Sequence, residues 1–305
     1  MEVSILLPKL FIFVVFMVSG YVFAKIKYVS PGFAADASKL VINFFMCATI
    51  INSVLNVETA LSLGEIGIII LVDCIAIFTC YAIAAVAARL LPIENDKRPQ
   101  FELLIAVMNN MFIALPVLEQ IFGATAVFYC ALSNIPFNIM VYSYGVYRLR
   151  SGDGGSVRFK DMLSTPIIAT FISLIIFIFK LRLPSLLVSL IGTTAAATLP
   201  LSMIVIGCSL GSVSLLSAFT DLRMYLVAFL KLLICPVAVW FLAGFITDDT
   251  ILRTSAMVIA SAPSGVIVTV LSIQYGRDPV FSSKGILLTT VLSMFTIPLL
   301  LAVLH

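Results

Sequence analysis

Two charged residues, Asp73 and Lys231, stand well inside long apolar stretches of this chain. A lone charge near a bilayer centre costs about 2.5–3.5 kcal/mol on translocon scales, so two of opposite sign gain by pairing. Such a pair would respond to protons, with Asp73 as the titrating member. In the alternative, Lys231 snorkels to an interface and Asp73 is a fixed hydrogen-bond acceptor. Two further constellations are polar without being charged. Asn109 and Asn110 precede Pro116, and Ser261-Ala262-Pro263-Ser264-Gly265 interrupts a second apolar run. A proline lacks an N–H and frees the carbonyl one turn back. In a hydrocarbon environment such backbone is tolerated only where it lines a cavity or is buried in protein. Asn109, Asn110, Pro116, Ser261, Pro263 and Ser264 are therefore the candidate ligand-binding residues. Half-helix N-termini at these breaks would offer free N–H groups and positive dipole ends, which favour an anion. Ordinary interhelical bonds and ordinary proline kinks would account for the same residues without a ligand. Asn43, and Asn134 with Asn138 four residues on along the same helical face, are further polar candidates. They too read as interhelical bonds.

Several chemistries are excluded. The only histidine is His305, the last residue, which removes Ser/His triads, haem ligation by histidine and most zinc sites. The six cysteines (Cys47, Cys74, Cys80, Cys130, Cys208 and Cys235) all fall in apolar stretches without a CxxC pair, which is a packing pattern rather than a metal site. No Gly-rich phosphate loop is present. Nothing in the sequence predicts an enzyme, and no cofactor is expected beyond a coupling ion, H+ or Na+. Net charge is +3, but the basic residues form no continuous stripe of the kind that binds nucleic acid.

The elements that must position these residues are apolar helices. Of 305 residues, 62% are hydrophobic and 11% charged, too little polar surface for a water-soluble domain of this length. Runs of about 20 apolar residues match a hydrocarbon core of roughly 30 Å at 1.5 Å per residue. The pattern predicts an all-α polytopic membrane protein with ten spans: 4–24, 39–57, 65–90, 101–122, 124–147, 164–180, 184–211, 222–246, 252–275 and 281–304. The first run lacks the basic segment and cleavage site of a signal peptide and reads as a retained span. Thirteen Lys and Arg residues fall on one set of loops and span ends. Only Lys9, Lys180, Arg182 and Arg253 fall on the other. The positive-inside rule then places both termini on the non-cytoplasmic side of the cell membrane.

The spans divide into two sets of five, residues 1–150 and 164–305, joined by a cytoplasmic linker at 151–163 that holds Ser151-Gly152-Asp153-Gly154-Gly155. Phe122-Gly123-Ala124-Thr125-Ala126-Val127-Phe128 aligns with Tyr275-Gly276-Arg277-Asp278-Pro279-Val280-Phe281, and the same offset lays Asn110 on Pro263. An odd span count inserts the second copy the opposite way round. That is the inverted-repeat architecture of secondary transporters, whose sites lie at broken helices near the midplane. Gly207 and Gly211 form a small-xxx-small pair suited to a close helix contact, either within the chain or across a dimer.

The chain resembles the auxin efflux carrier family, which includes bacterial organic-acid carriers and plant auxin exporters. The resemblance lies in Ala262-Pro263-Ser264, in Tyr275-Gly276-Arg277-Asp278, in Thr289, Thr290, Ser293 and Pro298, and in Leu199-Pro200-Leu201 with Gly207-Cys208-Ser209-Leu210. Asn109 to Pro116 fits the family's spacing in span four. Met111 and Ala114 replace usual glycines, and Cys47 replaces a usual proline. The resemblance implies a fold like that of the sodium/bile-acid symporters, with broken helices four and nine crossing. It implies a scaffold of spans one, two, six and seven and a core of spans three to five and eight to ten. It also implies a homodimer formed through the scaffold, which would give Gly207 and Gly211 a contact role. Family substrates are mostly carboxylates, such as malate, malonate and indole-acetate. The expectation is a secondary carrier of a small organic anion, working in the lipid bilayer by alternating access. A solute-gated channel or membrane-embedded receptor on the same fold is the alternative.

Overall fold

A computed structural model describes residues 3–30, 32–56, 62–150, 165–211 and 219–304; the expected linker at 151–163 and His305 lie outside them. The described residues are helical and contain no strand. In chain order the helices are α1 (Val3–Lys25), α2 (Phe33–Leu55), α3 (Leu63–Leu90), α4 (Arg98–Ala106), α5 (Asn110–Phe122) and α6 (Ala124–Leu149). There follow α7 (Thr165–Ile178), α8 (Ser185–Gly211), α9 (Leu222–Gly244), α10 (Thr250–Ser261), α11 (Ile267–Gln274) and α12 (Pro279–Leu304). Six of them, α2, α3, α6, α8, α9 and α12, are long and apolar enough to cross a membrane. The runs predicted as single spans at 101–122 and 252–275 are each divided, into α4 and α5 and into α10 and α11.

Local chemistry explains the helix ends. Asp249 caps α10, accepting from the N–H groups of Ile251 and Leu252 at 2.8 and 3.1 Å, which satisfies two first-turn donors. Asp221 does the same for α9 through the Arg223 N–H. The turn after α5 is Gly123 at φ 66° and the turn after α11 is Gly276 at φ 65°, a left-handed conformation that glycine adopts without steric cost.

Wider turns, of the kind whose N–H groups reach five residues back, lie at Val41–Phe45 in α2, Asn110–Ala114 in α5 and Leu230–Ile234 in α9. Each of these three ends two residues before a notable position, Cys47, Pro116 and Pro236; a fourth wide turn, Val141–Gly145 in α6, precedes no proline. A proline ring clashes with the carbonyl four residues back, and widening the turn ahead of it relieves the clash. At Cys47 no ring is present. Its thiol donates to the Ile42 carbonyl at 3.6 Å instead.

The chain forms two compact units. Unit 1 gathers α1, α2, α7 and α8 with residues 111–134. Its closest seam joins α1 to α8: a Cβ added at Gly207 would lie 1.9 Å from the Met17 carbonyl oxygen, and one at Gly20 would lie 2.1 Å from that of Ile204. Lipid tails are as apolar as the side chains, so close backbone approach through small residues drives such packing. The Cys208 thiol adds a bond to the Gly20 carbonyl at 3.2 Å. Thr49 and Thr198 bond hydroxyl to hydroxyl at 2.7 Å between α2 and α8.

Unit 2 gathers α3, α4, the later part of α6 from Ile135, and α9 to α12. Leu104 of α4 packs at Gly285 of α12, where an added Cβ would lie 2.6 Å from Leu104 Cδ1. At the basic end of this unit, buried Glu102 accepts from Tyr144 Oη at 2.6 Å and from Arg148 Nε at 2.8 Å. Gln100 donates to Ser272 Oγ and to the Asp278 carbonyl.

Candidate functional site

α4 stops at Ala106 because Val107 is extended, at φ −89° and ψ 120°. α10 stops at Ser261 because Ala262, which precedes Pro263, is extended at φ −59° and ψ 142°; a residue before proline is pushed out of the helical region. The two extended stretches lie antiparallel in unit 2 and pair at Met108 and Ser264. The Asn109 N–H donates to the Pro263 carbonyl at 2.8 Å, and the Gly265 N–H donates to the Val107 carbonyl at 3.0 Å. Each break therefore satisfies the backbone that the other exposes, and no strand from elsewhere is required. Gly265 permits the approach: a Cβ there would lie 3.1 Å from the Met108 carbonyl oxygen.

Side chains complete the junction. The Ser264 hydroxyl donates to the Leu104 carbonyl of α4, and the Ser264 N–H donates to Thr289 Oγ1 of α12 at 3.1 Å. The Thr289 hydroxyl in turn donates to the Gly285 carbonyl at 2.7 Å. The Ser261 hydroxyl turns back to Val258 at 2.8 Å. Ser261, Ser264 and Thr289 are fully buried, Asn110 is 3% exposed and Asn109 is 9% exposed. Val266, directly after the pairing, is 50% exposed, so the first turn of α11 borders open space. Within that turn the Val268 N–H donates to the Gly265 carbonyl at 3.0 Å, and the Thr269 and Val270 N–H groups donate to the Val266 carbonyl at 3.0 and 3.3 Å.

The structure brings Asn109, Asn110, Ser261, Pro263 and Ser264 together in unit 2. Pro116, Asn43 and Asn134 belong to unit 1. Asn43 accepts from Thr165 of α7 at 2.7 Å, and Asn134 donates to the Cys130 carbonyl and to Met111 Sδ. Asn138 lies in unit 2 and is 9% exposed. Thr289 belongs at the junction although it was not among the candidate ligand residues. The Thr289-Thr290 pair in an apolar run was the signal for it. Glu102 with Tyr144 and Arg148 left no such signal, because its partners lie more than 40 positions away in the sequence.

Two expectations are corrected. Asp73 and Lys231 are both buried in unit 2, at 2% and 0% exposure, but no ion pair joins them, and among the described residues both Asp73 Oδ2 and Lys231 Nζ lack a hydrogen-bond partner. Full burial also rules out snorkelling by Lys231. Gly207 and Gly211, for which a dimer contact was one reading, both present their bare faces to α1 of the same chain, against Met17 and Ala24.

A family model described as membrane transport protein matches residues 4–158 and 154–301. A protein of Methanothermobacter thermautotrophicus described as an uncharacterized transporter is 24% identical over 290 residues, covering 93% of this chain and 94% of that protein. A second uncharacterized transporter, from Methanocaldococcus jannaschii, is 26% identical over 238 residues, covering 74% and 76% respectively.

Proposed function

Because the chain belongs to the membrane transport protein family, the auxin efflux carrier-like family whose motifs it carries, we propose that it is a secondary carrier of a small organic anion, a carboxylate. The substrate is held at the junction of the two broken helices, by Asn109 and Asn110 beside the exposed entry to α11 at Val266. The observation that carries this reading is the mutual pairing of Val107–Asn109 with Pro263–Gly265. A membrane protein keeps two irregular segments together at depth where they serve a site.

In this reading α4 with α5, and α10 with α11, are the fourth and ninth of ten spans arranged as two inverted five-span repeats. The left-handed glycines at 123 and 276, each closing the second half of a broken span, support the repeat. Transport proceeds by alternating access, with Asp73 as the titrating group if H+ is the coupling ion. Both termini face away from the cytoplasm of the cell membrane, and the working form is a homodimer.

The test is solute counterflow in proteoliposomes, with dicarboxylates and aromatic acids chosen by a thermal-shift screen, since a ligand of the folded state raises its unfolding temperature. Saturable exchange is the expected result. The Asn109→Ala variant should express normally and bind the selected anion at least about ten-fold more weakly, the loss of roughly one charge-assisted hydrogen bond. Unchanged affinity would remove the junction from the site, and a solute-gated current at channel rates would remove the carrier.

A further inference from the structure

Arg277 ties three distant stretches of the chain together at the basic end of unit 2. Its Nε donates to the Leu149 carbonyl at 2.9 Å and its Nη1 to the Asp96 carbonyl at 3.2 Å. These bonds bring the end of α6 and the turn before α4 to the turn after α11, and with them two more arginines, Arg150 and Arg98. The Arg150 guanidinium lies 5.9 Å from the centre of the Tyr275 ring. Arg98 makes a long bond from Nη2 to the Ile93 carbonyl at 3.4 Å. The Nε atoms of Arg98 and Arg150 are buried without a hydrogen-bond partner among the described residues.

Among the described residues, none of these three guanidinium groups has a carboxylate partner. Glu94 is engaged by Lys97 and Arg223, Glu102 by Arg148 and Asp221 by Arg223. Asp278 accepts from the Val280 N–H, and Asp96 gives Arg277 its backbone carbonyl and not its charge. Three positive charges are thus held together on backbone oxygens and an aromatic face, with no opposite charge to meet them. A guanidinium fork matches phosphate oxygens two at a time. Apolar surface adjoins the cluster: Tyr147, one turn before Arg150, is 71% exposed, and Val280 at the start of α12 is exposed as well. Tyrosines so placed belong at the level of lipid headgroups.

We propose that Arg98, Arg150 and Arg277 form a site for the phosphate of an anionic phospholipid, with Tyr147 and Val280 beside its glycerol and upper acyl chains. Charge selects this occupant. The linker at 151–163 begins directly after Arg150, but its Asp153 and Asp161 are balanced by Arg158 and Lys160, so it brings no net negative charge to the cluster. A free anion would satisfy the arginines and leave the neighbouring apolar surface in water, whereas a lipid covers both. Basic clusters at helix ends recognise anionic headgroups in this way.

The test uses the full chain, stripped of lipid in a non-ionic detergent and titrated with phosphatidylglycerol, phosphatidylcholine or inorganic phosphate. Native mass spectrometry should show phosphatidylglycerol retained in preference to phosphatidylcholine, and only the former should raise the unfolding temperature. With Arg98→Gln and Arg150→Gln together, affinity for phosphatidylglycerol should fall about twenty-five-fold, since each basic residue near an anionic surface contributes roughly five-fold. Lys25→Gln with Lys39→Gln, in unit 1, should leave that affinity unchanged. A photoactivatable phosphatidylglycerol should label peptides that hold Arg98, Arg150 or Arg277. Equal retention of the two lipids, the full thermal rise with inorganic phosphate, undiminished affinity in the double variant, or label only on other peptides would each overturn the site. Should the double variant fail to fold, the photolabel on the parent protein decides alone. None of these readouts involves transport, so the site stands or falls independently of the carrier reading.

Discussion

Ser264 works at both ends of its own length. Its hydroxyl satisfies the Leu104 carbonyl, and its N–H is satisfied by Thr289. Ser264→Ala should leave the Leu104 carbonyl without that donor in a fully buried position, costing about 1–3 kcal/mol. A clear fall in unfolding temperature in detergent is the expected readout, with Thr289→Val producing a fall of similar size by stranding the Ser264 N–H. A variant as stable as the parent would mean that the junction is held by backbone pairing alone. The charged residues teach a different lesson. Their depth in apolar runs was plain from the sequence, but their partners were not, because opposite sign and equivalent spans say nothing about height along a helix. Cys80 and Cys235 read as packing residues, and in the fold both are buried and free.

Helix ends and interruptions were more legible than pairings. Prolines and paired asparagines marked the breaks, since each removes or competes for a backbone bond at a defined place. The wide turn at Val41–Phe45 was not legible, because Cys47 carries no ring to announce it. The cap of α9 gives a pH prediction. A side-chain bond from Arg223, aided by the Arg223 N–H, holds the Asp221 carboxyl below the usual carboxylate range. A lowered folded value means that the stabilisation is complete above the unfolded pKa of about 3.9 and is lost as pH falls through the lower folded value. Asp221→Asn keeps an acceptor for the cap but not the charge. Its unfolding temperature should therefore change less across that acid window than that of the parent. On the α1–α8 seam, Gly207→Val should prevent close approach outright, since even a Cβ would sit 1.9 Å from a backbone oxygen. The expected outcome is lost folded yield on size-exclusion chromatography, whereas Gly67→Val, which meets nothing within 4 Å, should be recovered normally.

At the scale of the whole molecule, composition alone identified a membrane protein, and matched breaks separated the fourth and ninth runs from ordinary spans. Neither unit is continuous in the chain. Unit 1 draws on three stretches and unit 2 on three others, with hand-overs at 63/64, 110/111, 134/135, 162/163 and 214/215. The sequence signals an order of elements, and the grouping into units depends on packing between residues far apart along it. The distribution of Lys and Arg makes a prediction here as well. Epitope tags at both termini should be reached by antibody on intact cells, and a tag in the 151–163 linker only after permeabilisation. The reverse pattern would invert the topology while leaving the junction untouched.

The pairing of Val107–Asn109 with Pro263–Gly265 also constrains how this protein can change over time. The bonds run between main-chain groups that any residue but proline can supply, so the constraint falls on the two donors, Asn109 and Gly265, and on the space at 265, where a Cβ would lie 3.1 Å from the Met108 carbonyl oxygen. Randomising 107–110 and 262–265 together should yield viable combinations that exclude proline at 109 and 265 and favour glycine at 265, and that survive exchange of their halves.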